Sequence, residues 1–136
     1  MHTHHKGIVT HWTQPLTGGK YIRVFVWEDS KSLENAAWDD DARKYHEKKD
    51  AHLHGRCDAQ WYWNNEGRRL SGKKFGDIHL VQGAIGSGLV AHELQHLTVS
   101  WIGFRNWNLE IDNERIALFM EKITKRFWIE FYKRFK

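Results

Sequence analysis

The chain has little that would lock it covalently or anchor it in a bilayer. It carries a single cysteine, Cys57, so no internal disulfide can form, and a disulfide-stapled secreted scaffold is excluded. Cys57 reads as a small core residue with no catalytic role. A single proline, Pro15, leaves room for long helices and argues against a proline-rich linker. No stretch approaches the roughly 18 consecutive apolar residues of a membrane span. No internal repeat recurs at a solenoid period. The start "MHTHHKGIVTHW" lacks the apolar core of a signal peptide. These absences lead to the expectation of a cytoplasmic protein without a membrane span.

What is present favours a folded domain. The 136 residues are 40% hydrophobic and include eight tryptophans, so disorder is excluded and one modest core is expected. The net charge of +4 matches that of the last sixteen residues, "EKITKRFWIEFYKRFK", with six Lys/Arg against two Glu. The rest of the chain is therefore near neutral. A basic tail invites a nucleic-acid reading. Its Phe and Trp residues nonetheless sit largely at core spacing, which makes the cations the solvated side of a buried stripe.

Periodicity gives the order of elements. Residues 1–15, with His2, His4, His5 and His11, read as a loose His-rich N-terminus of a single 1–136 domain. Thr17-Gly18-Gly19 is a turn. "KYIRVFVWED" reads as a strand with Ile22, Val24 and Val26 on one face and Tyr21, Arg23, Phe25 and Trp27 on the other. A helix follows, capped by Asp29 or Ser30, with Trp38, Ala42 and Tyr45 on one stripe. "CDAQWYW" and "FGDIHLV" are strand candidates joined by turns, which suggests antiparallel pairing. A helix from Ser87 or Gly88 through Ser100 precedes a break at "WIGFRNWN". A final helix starts near Leu109 with Asn106 or Asn108 as cap. Its apolar stripe is Ile116, Met120, Ile123, Phe127 and Phe131. The expected fold class is α+β: a small, mostly antiparallel sheet with one motif-bearing helix and a long C-terminal helix.

The motif is His92-Glu93-Leu94-Gln95-His96, an H-E-x-x-H pattern inside "GSGLVAHELQHLTVSW". On a helix, residues four apart share a face, so His92 and His96 can turn two imidazole nitrogens toward one ion. A catalytic Zn²⁺ takes three protein ligands and a water. Glu93, beside the first histidine, can take that water's proton as general base. In a chain with ten histidines the pattern would arise by chance roughly 5% of the time. The context adds weight, because a strand and a glycine-rich loop lead into an amphipathic helix. The competing reading is two histidines on an ordinary helix. A third ligand must come from elsewhere, and Glu110, Asp112, Glu114 and Glu121 all lie downstream. Glu114 falls eighteen residues beyond His96, early on the final helix and off the centre of its apolar stripe. Glu110 lies in nearly the same direction.

"VAHELQH" followed by "NERIA" resembles the gluzincin branch of zinc metallopeptidases, where H-E-x-x-H is completed by a Glu on a following helix. The order of strand, small loop, motif helix and Glu-bearing helix also resembles small metallopeptidase-like proteins of phages and mobile elements. The repressor-cleaving ImmA/IrrE-type proteases share that plan. The likeness covers about Phe75 to Phe127 and is sharpest at the motif. It implies a minimal zincin-like hydrolase with Zn²⁺ as cofactor. His92, His96 and Glu114 would be the ligands, Glu93 the base acting on zinc-bound water, and a peptide bond in a protein the substrate. The host cytoplasm would be its location if it is phage-encoded. The resemblance also implies that Phe75–Val81 is the edge strand pairing with substrate. Thermolysin-like members carry Asp where this chain has Leu118, so that subgroup is disfavoured. His79, Tyr62 and Tyr45 are candidates for oxyanion stabilisation. His46, His52 and His54 are a possible second metal cluster or plain surface residues. Trp61, Trp63, Trp101 and Trp107 could line a cleft or fill the core. The alternative is a non-catalytic, zinc-stabilised phage protein that binds a protein or nucleic-acid partner through its basic C-terminal helix.

Overall fold

The computed structural model describes residues 7–37, 54–59 and 72–135. The architecture is α+β. Four strands, β1 (Ile8–Pro15), β2 (Tyr21–Trp27), β3 (Gly55–Ala59) and β4 (Lys74–Val81), form one sheet in the order β1-β2-β4-β3. Two pairings, β1–β2 and β3–β4, are antiparallel, and β2–β4 is parallel, so the sheet is mixed. Among the described residues three α-helices accompany it: α1 (Ser30–Ala37), α2 (Ser87–Arg105) and α3 (Asn113–Arg134).

Alternation decides the faces of the sheet. Ile22, Val24 and Val26 of β2 are fully buried, as are Ile78 and Leu80 of β4. They meet Val90, Leu94, Leu97 and Trp101 of α2 and Phe119, Ile123 and Phe127 of α3 in one core. The opposite face carries a smaller cluster of Trp27, Leu33 and Val81 under α1. Asp29 caps α1 as expected, accepting the Ser32 backbone N–H at 2.8 Å.

Residues 8–15 are not a loose terminus. They form β1, which buries Trp12 and Gln14. Gln14 ties the strand to α3, donating from Nε2 to the Ile123 carbonyl at 3.0 Å while its Oε1 accepts from Trp12 Nε1 at 3.3 Å. The turn after β1 needs Gly18 and Gly19, whose φ values are 66° and 78°.

The motif helix runs on through "WIGFR" to Arg105, past the break expected there. Tertiary burial overrides Gly103. Trp101 is 1% exposed, edge-on to Phe75 at 4.9 Å and stacked on Phe119 at 5.0 Å. The stop comes at Asn106, left-handed at φ 57°, with Trp107 N–H returning to the Ile102 carbonyl at 2.9 Å. Asn108 shapes the next turn, its Oδ1 accepting from the Glu110 and Ile111 N–H groups, and α3 starts only at Asn113. The helix buries Phe119, Ile123, Phe127 and Glu130, a stripe rotated slightly from the expected one. The stretch with Trp38, Ala42 and Tyr45 lies outside the described residues.

Candidate metal centre

Helix α2 sits over β3, and its sequence sets three side chains in two environments. Glu93 turns inward and is 4% exposed. Its carboxylate rests against Gly55 of β3, where a Cβ would stand only 2.8 Å from Oε2. Burial pushes the Glu93 carboxyl above its usual range, opposed by the neighbouring His92 and reinforced by the negative charge of Asp58. Cys57, two residues along the same strand, is driven up to about 12, first by burial and then by the Glu93 carboxylate. A thiol so raised stays protonated near neutral pH, and Cys57 packs partly buried against the core.

His92 and His96 lie on the exposed side of α2. Their Nε2 atoms approach to 3.2 Å, with the rings edge-to-face at 82°. Two nitrogens bound to one tetrahedral Zn²⁺ at about 2.0–2.1 Å stand about 3.3–3.4 Å apart. The imidazoles therefore converge at the spacing of a metal pair. The same contact also suits a hydrogen bond in which one Nε2–H donates to the other ring. The donor set fits two of the protein ligands that a catalytic zinc takes, with a buried carboxylate one residue from the first.

The structure does not bring Glu114 to this pair. It is exposed in the first turn of α3. Contact between α3 and α2 comes where Phe119 stacks on Trp101 and Met120 meets Thr98, five residues later and about 7.5 Å further along the helix. Glu110 is exposed in the preceding turn, and Asp112 accepts the Asn108 N–H and pairs with Arg115. Among the described residues no group of three or more His, Cys, Asp or Glu side chains is placed to hold an ion.

Two other expectations change. Phe75–Val81 is not the sheet edge. As β4 it is interior, flanked by β2 and β3, and among the described residues β3 is the outermost strand beside the motif helix. His79 faces away from α2. It accepts from Trp27 Nε1 at 3.1 Å through Nδ1 and stacks on Phe25 at 5.0 Å. Burial depresses its basicity, against the pull of Asp58 and Asp77. It is thus a polar residue of the far face, out of reach of Glu93 as an oxyanion donor. Tyr45, Tyr62, His46, His52, Trp61 and Trp63 lie outside the described residues. His54 is exposed, and its carbonyl pairs with the Val81 N–H. Trp101 is core. Gly55 was not foreseen as a site residue; the only signal was a glycine at the head of a strand.

Comparison of the chain with family models, curated proteins and solved structures finds no match.

Proposed function

We propose that the chain is a zinc-dependent metallopeptidase that hydrolyses a peptide bond in a protein substrate. The reading rests on one observation above all: His92 and His96 hold their Nε2 atoms at metal-pair spacing while Glu93 is buried beside them. His92 and His96 would be ligands, while Glu114, the third ligand expected from the sequence, stands apart from them. Zn²⁺ would supply the Lewis acidity that polarises a carbonyl and acidifies a water. Glu93 would take the proton. Its raised carboxyl suits that task, because a general base works best with its pKa drawn toward the working pH. β3, the outermost of the described strands, would hold the substrate, since an extended chain can add to an outer strand through backbone hydrogen bonds.

The basic C-terminal helix gives less support to the nucleic-acid alternative than its composition suggests. Arg126, Lys133 and Arg134 all converge on Glu130, at 3.2, 3.6 and 2.8 Å, and Arg134 also covers the Trp12 ring. No helix of the described residues is long and apolar enough to cross a membrane.

The test is a search for new N-termini in a mixed protein substrate incubated with zinc-loaded protein. Cleavages should appear with the native chain and vanish with Glu93→Gln or a chelator. A cleavage pattern equal to that of Glu93→Gln would remove the peptidase reading.

A further inference from the structure

A cavity of about 350 Å³ opens where the β1–β2 turn meets the α2–α3 junction. Arg105 lies nine residues beyond His96, about 14 Å along the α2 axis, so this cavity is separate from the histidine pair. Leu16, Trp107, Leu118, Phe119 and Ile123 give it an apolar wall, and three cations, Arg105, Arg115 and Lys122, stand around that wall. Among the described residues no carboxylate lines it.

The cations are poorly matched within the chain. Arg115 has one long contact, 3.6 Å to Asp112, and its side chain is 68% exposed. Arg105 lies over the rings of Trp101 and Trp107 at 6.0 and 5.9 Å. Contacts with a ring face leave the charge without a carboxylate partner, and Arg105 makes no ion pair within 4.0 Å among the described residues. Lys122 makes no ion pair within 4.0 Å among the described residues. An apolar hollow lined by three cations, only one of them paired with an acid (Asp112) among the described residues, is complementary to an anion with an apolar body. Its volume lies within the usual range of small-molecule sites, about 300–1,000 Å³.

The geometry points to a second site that binds a small organic anion with an apolar body, such as a medium-chain acyl carboxylate. The acyl chain lies on Leu118, Phe119 and Ile123, and the carboxylate meets Arg105, Lys122 and Arg115. The site needs neither metal nor peptidase activity.

Isothermal titration with decanoate, decanol and acetate tests it on the full chain. Decanoate binds. Decanol, with the body but no charge, and acetate, with the charge but no body, bind at least about tenfold more weakly, the factor expected for one charge-assisted hydrogen bond or a few buried methylenes. The Arg105→Gln/Lys122→Gln double variant alters exposed side chains only, and it lowers decanoate affinity by about tenfold or more with the circular dichroism unchanged. Leu118→Asn, a neutral polar change on an exposed helix position, weakens decanoate further and leaves acetate unaffected. The inference is overturned if decanoate gives no binding at low-millimolar concentration. It also fails if decanol binds equally well, or if the double variant binds decanoate like the native chain.

Discussion

Replacing Gly55 with alanine separates the position of Glu93 from the stability of the fold. The new Cβ would stand 2.8 Å from Glu93 Oε2 and 3.0 Å from Leu89 Cδ1. Ordinary contact begins near 3.4 Å, so the carboxylate must retreat by about 0.6 Å and the methyl by about 0.4 Å. Both are ends of flexible side chains, which places the overpacking cost at the low end, about 1 kcal/mol. The smaller backbone entropy of alanine in the unfolded chain returns about 0.4–1 kcal/mol. Net stability should change by less than about 1 kcal/mol. The carboxylate, by contrast, leaves its berth against β3 and moves toward water. In metal-free protein labelled at the Glu side-chain carboxyl, carbon NMR should show Glu93 titrating above the ordinary range in the native chain. In Gly55→Ala its midpoint should fall back toward that range. A reacting group misplaced by about 1 Å costs on the order of 100-fold, so peptidase turnover should drop while zinc affinity holds. An unchanged Glu93 titration, or a loss above about 3 kcal/mol, would refute the berth described here.

Four further outcomes are expected. Glu93→Gln should stabilise the metal-free protein at neutral pH. The native carboxyl is raised on folding, so the folded chain retains a proton that the unfolded chain releases, and stability falls as pH rises through that window; denaturant melts across pH show this contribution to the slope in the native chain and its loss in the variant. Glu130 has the opposite sign, being lowered chiefly by the hydrogen bond from Arg134. Its stabilisation is present above the unfolded value and lost as pH falls, and Glu130→Gln should flatten that acid limb. Gln14→Ala should cost about 1–3 kcal/mol by chemical denaturation, since it leaves the buried Trp12 N–H without its partner. Glu114→Gln should leave zinc affinity unchanged in a chelator competition, since Glu114 is exposed and stands apart from the histidine pair; weakened binding would contradict that placement.

Much of the fold could be read from period and turn chemistry. The β2 faces follow strict alternation through Ile22, Val24 and Val26. The strand, small loop and helix around the motif follow from composition, and the His92–His96 convergence follows from helical spacing alone. The misses have particular causes. β1 was obscured by the histidine-rich stretch it follows, although Ile8, Val9, Thr10 and Thr13 supply β-branched residues before a glycine turn. The length of α2 depends on Trp101, whose burial between Phe75 and Phe119 no local pattern announces. Strand order is non-local. That β4 is interior and β3 the outermost described strand follows from the parallel pairing of β2 with β4, and this pairing also sends His79 to the face away from α2. The place of Glu114 depends on where α3 meets α2, and that contact is set by Phe119 and Met120, not by sequence distance from His96.

Zinc content after dialysis against a weak chelator tests the central claim most directly. The account predicts one ion per native chain, lost in both His92→Ala and His96→Ala while circular dichroism stays native. A metal-free native protein, or zinc that survives both substitutions, would contradict it.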